Sequence, residues 1–517
     1  MARAAQNVLL ITLDQWRADC LSALGHPCLR TPHLDALVAE GALFRRHYTQ
    51  ASPCGPARAS LLTGLYAHNH RSVRNGVPLD DRHANLAREV RKGGYDPVLF
   101  GYTDTAIDPR LLPSGDAVLE TYEGVLPGFV PGLVLPMHMQ PWLADLAAKG
   151  YEVPARSHDM WLPRDVSPED RRRGPTFAPT RYPAQDSETS FLTDVVLRYL
   201  AGREDGWFIH LSYLRPHPPF IAPEPYNAMY APDAAPPFHR AADIATESAQ
   251  HPWLAWQIAK SHAAPLPEQQ RPLFGSLGDA ELRQLRATYY GMISQADDQL
   301  GRVFAALRAS GAWARTLIVV TSDHGEMLGD HHMIGKDGYF DAAFTVPLII
   351  RDPRAAPARL GRQVDAFTEA VDIMPTILEW LGQRVPPQLD GCSLLPLLDG
   401  EIPSGWRSEA HWEYDFRDLK DLKPERALGL TSDQCSLTAI RDKQYKYVHF
   451  AALPPLFFDL EADPHELHNR AADRTHLPLV LAYAQKLLSW RMRHEERTLS
   501  HFLLGPGGLI DRSAKSN

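Results

Sequence analysis

Few cysteines, no long apolar run and no excess of positive charge mark this sequence, and each shortage removes a class of protein. Cys20, Cys28, Cys54, Cys392 and Cys435 are five in 517 residues. An odd, sparse set without a Cys-x-x-Cys pair argues against a disulfide framework or a cysteine zinc site and fits a reducing compartment. The net charge of -9 leaves no electrostatic footprint for nucleic acid or an anionic membrane, so neither is expected as a partner. No apolar stretch is long enough to span a bilayer. The start of the chain runs at once into Asn7-Val8-Leu9-Leu10-Ile11-Thr12-Leu13-Asp14, too short and too soon acidic for a signal peptide. A cytoplasmic location is expected.

What is present fits a large globular enzyme, with 44% hydrophobic and 22% charged residues over a length that exceeds one core and predicts a large domain with a smaller companion. Val8 to Leu13 reads as a buried parallel strand delivering Asp14 at its carboxyl end, where ligands sit in open α/β sheets. Asp14 alone could equally cap a following helix. The pattern recurs in Thr316-Leu317-Ile318-Val319-Val320-Thr321-Ser322-Asp323-His324, and two such strand ends brought together make a divalent-metal site. Strands are also expected at 97–100, 206–213 and 346–351, with helices at 34–41, 186–200, 280–310 and 372–381. The predicted fold is α/β, a large mixed, mostly parallel sheet sandwiched by helices. A smaller C-terminal α+β part with a short antiparallel sheet follows the transition at Pro386-Pro387-Gln388-Leu389-Asp390-Gly391, giving domains at 1–385 and 386–517. Residues 111–185, rich in proline, glycine and tryptophan, show no repeat and no regular element, and are expected to lie over the active-site face.

The stretch Cys54-Gly55-Pro56-Ala57-Arg58-Ala59-Ser60-Leu61-Leu62-Thr63-Gly64 reads as a short helix, with Pro56 suited to the first helical position and Gly64 to the stop. Its start would point unpaired N–H groups outward and favour an anion, and Arg58 adds a planar cationic fork. A lone cysteine in such a setting is more often a packed small hydrophobe than a nucleophile. His217, between prolines in Arg215-Pro216-His217-Pro218-Pro219, would ordinarily be a packing residue, and Asn75 in Asn75-Gly76 a turn residue. His210 reads as a core histidine and His331-His332 as loop residues.

Cys-x-Pro-x-Arg followed by Ala-Ser-Leu-Leu-Thr-Gly resembles the signature of the sulfatase family of the alkaline phosphatase superfamily, in which this cysteine is oxidised to formylglycine by a maturation enzyme. The likeness runs from Asn7 to Trp490. It implies an alkaline phosphatase-like fold and one metal ion held by Asp14, Asp323, His324 and the formylglycine from Cys54. It further implies attack by one hydroxyl of the hydrate, and collapse of the covalent intermediate by the other. Arg58 and Lys336 would stabilise charge on the transferred group, and His217 would assist the ester oxygen. An imidazole ligand favours manganese, iron or zinc over calcium, with manganese the first choice.

The departures place the chain nearer the phosphonate monoester hydrolases and related arylsulfatases. His324 is one such departure, Asn75 is at the place that faces substrate there, and Tyr102 and Asp104 stand where ordinary sulfatases carry a lysine and a histidine. Loss of two positive charges predicts a preference for monoanions (sulfate monoesters, phosphonate monoesters, phosphodiesters) over phosphomonoester dianions. Asp104 is unusual even in that branch. The same likeness implies a homo-oligomer, dimer or tetramer, with contacts from the tail 491–517. Two rival readings are a phosphodiesterase using unmodified Cys54 and a non-catalytic binding protein on this scaffold; the retained cysteine, acids and lysine weigh against the latter.

Overall fold

The run Asn7–Leu13 is apolar throughout because it is buried throughout. Val8 and Leu10 enter one core, and Leu9, Ile11 and Leu13 enter another on the opposite face, as the two-residue repeat of a strand requires. In the computed structural model, which describes residues 6–164, 166–266 and 270–512, this strand lies inside an eight-stranded sheet. The order is 362–369, 42–48, 348–351, 316–322, 7–13, 208–213, 97–101, 130–134. The central strand pairs in parallel with Phe208–Tyr213 and Thr316–Ser322. Leu348–Arg351 runs antiparallel to both of its neighbours, so the sheet is mixed but mostly parallel, as expected.

Helices cover both faces. The long helix Asp279–Ala309 sets Leu282, Leu285, Tyr289, Met292, Ala296, Leu300, Val303 and Leu307 at spacings of three and four residues, one stripe against the first core. Against the second core pack the helices Leu86–Lys92, Ile373–Trp380 and Cys54–Thr63. All ten residues of the last are buried. It ends on Gly64, whose φ of 68° is the left-handed conformation that glycine tolerates.

A second sheet of five strands has the order 456–459, 445–450, 436–441, 410–415, 51–52. Its last member, Ala51–Ser52, comes from the amino-terminal part and pairs in parallel with Glu413 and Tyr414. The segment just before Cys54 is thus stitched into the carboxyl-terminal sheet. Near the expected transition, the Asp390 N–H donates to the Gly64 carbonyl at 2.8 Å. Gly391 lies so near Val371 that a Cβ would stand 1.9 Å from its carbonyl oxygen, a closeness open only to glycine.

Residues 111–185 correct the reading of a stretch without regular elements. They contain the strand Val130–Val134 and the helices Gln140–Ala148 and Pro168–Arg173. Pro131 and Gly132 hide the strand, but it is a sheet edge, where a missing N–H is tolerated. Gly132 packs beneath Phe100, whose ring would lie 2.7 Å from an added Cβ. Among the described residues, no helix is long and apolar enough to cross a membrane.

Candidate active site

The parallel register brings the ends of two strands together. Asp14 and Asp323 follow Leu13 and Ser322, which are paired residues. The crossing is laced by the Ser322 hydroxyl donating to the Leu13 carbonyl at 2.6 Å and by the Gln15 N–H donating to Asp323 Oδ1 at 3.0 Å. Cys54 opens its helix opposite them. Lys336 Nζ stands 3.0 Å from its Sγ, His324 Nε2 3.2 Å and Asp14 Oδ1 3.8 Å. One ligand atom each from Asp14, Cys54, Asp323 and His324 lies within 4.8 Å of all the others. Four residues from three distant segments therefore converge on one point.

The donor set suits a divalent cation. His324 directs Nδ1 to the Gly325 carbonyl at 3.1 Å; with the proton on Nδ1, Nε2 offers its lone pair to the centre. Burial works against ionising Asp14, yet the facing His217 and the cations Lys336 and Arg58 outweigh it and hold this carboxyl well below its usual range. Burial and the adjacent Asp14 push Asp323 up to about 7. Two carboxylates that cannot both ionise comfortably mark a centre short of positive charge.

Arg58 departs from the expected role. Its guanidinium does not open toward a transferred group but is consumed beneath the acids. Nε donates to Asp323 at 3.0 Å, one terminal nitrogen to Asp14 at 3.1 Å and the other to the Ser212 hydroxyl at 2.8 Å. The side chain is 1% exposed. A fork buried between two carboxylates fixes one oxygen of each. Asp14 keeps Oδ1 turned toward Cys54, whereas Asp323 Oδ1 is taken by the Gln15 and His324 N–H groups, so the Asp323 oxygen facing His324 Nε2 is the one that Arg58 holds. The helix start also differs. It begins at Cys54, so Pro56 is the third helical residue, still among the positions whose N–H lacks a helical partner. The next N–H, that of Gly55, does not await an anion; it donates to Asn75 Oδ1 at 2.9 Å.

A cavity of about 100 Å³ opens over Cys54, lined by Asp14, Asn75, Tyr102, Asp104, His217 and Lys336. Residues 111–185 complete it with Tyr122, Glu123, Leu135, Met137, Met139 and Trp161. Tyr102 donates to Asp14 Oδ2 at 2.7 Å and lies under the Arg58 guanidinium, 4.3 Å from ring centre to Cζ. His217 places Nδ1 2.7 Å from the Pro218 carbonyl, and burial together with Lys336 pushes it down to about 4; it is a neutral imidazole at neutral pH, with Nε2 as its lone-pair nitrogen. Asp104, pushed up to about 7 by burial and by the other acids despite Arg58, lies inside the cavity lining. His210 and His331 lie elsewhere, the first bonded to Thr12 in the core and the second to Glu247 at 2.8 Å.

Three supports escape a reading of the sequence. Gln15 accepts from Lys336 Nζ at 2.8 Å and donates to Glu326, which also accepts from the N–H groups of Gly335 at 2.6 Å and Leu328 at 3.0 Å. This chain orients the lysine on Cys54. Ser212, the third, is the polar residue near the end of an apolar strand. Gln15 directly follows Asp14 and Glu326 stands two residues after His324, which is the signal that could have found them.

A mostly parallel sheet that turns two carboxylates and an imidazole onto a cysteine at a buried helix start defines a hydrolase of the alkaline phosphatase superfamily. The chain belongs to the sulfatase family: residues 6–383 match the family model described as Sulfatase, and residues 329–493 match that described as N-sulphoglucosamine sulphohydrolase, C-terminal. It is 48% identical to the multifunctional alkaline phosphatase superfamily protein PehA of Trinickia caryophylli, covering 98% of this chain and 99% of that one. An arylsulfatase of Clostridium perfringens is 28% identical over 90% and 89%. Among solved structures, the phosphonate monoester hydrolase of Agrobacterium radiobacter superposes with a TM-score of 0.94 at 48% identity, covering 98% and 99% of the two chains. That of Silicibacter pomeroyi gives 0.91 at 41%, with the same coverage.

Proposed function

We propose that this protein hydrolyses monoanionic esters, namely phosphonate monoesters, phosphodiesters and sulfate monoesters. The site would use formylglycine made from Cys54 and one divalent metal, manganese before iron, zinc or calcium, held by Asp14, Asp323, His324 and residue 54. The observation that carries this reading is the setting of Cys54 Sγ. Burial, then Asp14, push the thiol well above its usual range, while an ammonium and an imidazole stand within 3.2 Å of a sulfur that accepts hydrogen bonds only weakly. An oxygen-bearing residue suits those neighbours better. When present, the metal would supply Lewis-acid charge and the formylglycine hydrate a nucleophilic hydroxyl, with a second hydroxyl to release the product.

The chain's own residues do the rest. Arg58 and Tyr102 fix the Asp14 carboxylate, and Arg58 also fixes Asp323. Lys336, held by Gln15, offers its ammonium to the transferred group. Neutral His217, with Nδ1 donating to the Pro218 carbonyl, has Nε2 free to take up a proton and then hand it to the departing ester oxygen. Asn75 locks the start of the cysteine helix and lines the cavity. With one lysine facing the substrate and Asp104 alongside, a second negative charge on the reacting group is disfavoured.

Peptide mass analysis of active enzyme, with metal analysis, tests the modification; an unmodified Cys54 in fully active protein would favour the phosphodiesterase reading. Aryl sulfate, aryl phosphonate and phosphodiester with one leaving group, set against the phosphomonoester, test the class. Preference for the dianion would overturn it. The reading includes a maturation enzyme as partner and a cytoplasmic location, consistent with five free cysteines among the described residues. It also includes a homo-oligomer built through the tail, where Leu503, Leu504 and Leu509 of the hairpin 502–511 are exposed, and the division into a catalytic domain at 1–385 and a smaller one at 386–517.

A further inference from the structure

Asp104 enters the reading above only as a charge that disfavours dianions, although its placement is costly. It is a non-glycine residue at φ 48°, a conformation that has to be held by its surroundings. What holds it is a clip to the first part of the 111–185 stretch. Thr105 N–H donates to the Gly124 carbonyl at 3.1 Å, the Thr103 hydroxyl donates to the same carbonyl at 3.0 Å, and Leu126 N–H donates to that hydroxyl at 2.9 Å. The approach is so close that a Cβ on Gly124 would lie 2.5 Å from the Thr105 carbonyl oxygen. The clip sets Asp104 beside Tyr122 and Glu123 in one wall of the cavity.

That wall carries two acids without a close cation of their own. The Asp104 side chain is 9% exposed, and its nearest cation, Arg58 Nε, is 3.9 Å away and already donates to Asp323. Among the described residues no hydrogen bond reaches its carboxylate. Glu123 accepts from the Met137 N–H at 2.9 Å through one oxygen, which leaves the other for a ligand. A nearly buried carboxylate such as Asp104 is expensive unless something pairs with it, and with the partly exposed Glu123 and the Tyr122 phenol beside it it suits an ammonium group. Burial and then these two carboxylates raise the Tyr122 phenol above its usual range, so it stays a neutral hydroxyl beside them.

We propose that this acidic wall binds a cationic substituent, so that the preferred substrate is a zwitterion: a monoanionic phosphorus ester bearing an ammonium group on the substituent that stays on phosphorus. The inference rests on the ester-hydrolase reading above and narrows it. A carboxylate beside the departing oxygen would oppose the negative charge that builds there, so the wall serves the retained group. A sulfate monoester has no retained carbon substituent, which puts phosphorus esters ahead of sulfate esters.

The test uses two diesters with one leaving group, 2-ammonioethyl 4-nitrophenyl phosphate and propyl 4-nitrophenyl phosphate, on enzyme with a verified residue 54 and loaded metal. The ratio of kcat/KM for the ammonium ester over the propyl ester is expected to be on the order of tenfold or more. Asp104→Asn should bring it close to one, and Glu123→Gln should lower it by about threefold. Glu123 is at the partly exposed rim, so the second variant decides if the first does not fold. Hydrolysis of both esters at equal kcat/KM, or a ratio that neither variant moves, overturns the inference and leaves the ester-hydrolase reading standing. No hydrolysis of either ester by the mature, metal-loaded enzyme overturns both.

Discussion

The floor and the acidic wall of the cavity are built on different principles. The floor (Asp14, Cys54, Arg58, Asp323 and His324) sits on strand ends and a wholly buried helix, with each carboxylate held by a guanidinium and the strands laced to one another. The wall is loop against loop, held by three hydrogen bonds around Gly124 and one residue in left-handed backbone. Sheet topology makes the floor rigid and general. The wall can change one residue at a time without disturbing the sheet, so the choice of substrate belongs there.

The largest effect that would test this division is loss of residue 54, the proposed nucleophile. Cys54→Ala should lower kcat by roughly 10³-fold or more while the folded signal in circular dichroism stays, because the floor's other bonds remain. Next comes a buried tie outside the cavity, where Asp330 is bound by Arg17 at 2.6 Å and Arg286 at 2.7 Å. Asp330→Asn should destabilise the protein by roughly 3 kcal/mol, since it takes the acid partner from the buried Arg286 and leaves Arg17 only the exposed Asp19. Burial opposes the charge on Asp330, but the two arginines hold its pKa down to about 2, against about 4 when unfolded. The contribution is therefore full above pH about 4 and lost as the pH falls through about 2. Denaturant midpoints of the variant and the parent should converge across that window; a constant gap would contradict the assignment.

A smaller change sharpens the floor alone. Arg58→Lys keeps the charge and loses the fork, and metal affinity read by titration should fall about 10- to 100-fold. An unchanged affinity would show that the acids need no such clamp. The smallest effect should come from the wall. Gly124→Ala forces the Thr105 carbonyl away and should alter kcat/KM by only about threefold with a small monoanionic ester that carries no ammonium group, with a larger shift in selectivity between esters with and without one. Equal effects on all substrates would erase the distinction between the two regions.

The same division explains what could be read without coordinates. Asp14 and Asp323 were legible because an apolar run buried on both faces makes its polar end conspicuous, and a parallel sheet gathers such ends on one edge. Arg58 was legible as a residue of the site but not in its role: spacing cannot say whether a guanidinium faces a ligand or the acids below it. Asn75 was readable as a turn, whereas its bond to Gly55 needs the distance. Gln15 and Glu326 depend on side-chain directions at irregular backbone, Gln15 itself having φ 66°. The strand at 130–134 was masked by Pro131 and Gly132, whose tolerance comes from an edge and a neighbouring ring that only the fold supplies.

The two-residue strand Ala51–Ser52 also fixes an order in time. Its pairing partners, Glu413 and Tyr414, are synthesised long after it, and until they leave the ribosome the segment leading into Cys54 has no sheet to join. Once they dock, Cys54 is 4% exposed, at the head of a helix with no free face. Any enzyme that must reach this cysteine therefore works on the nascent or unfolded chain, and the late arrival of the carboxyl-terminal sheet closes that opportunity.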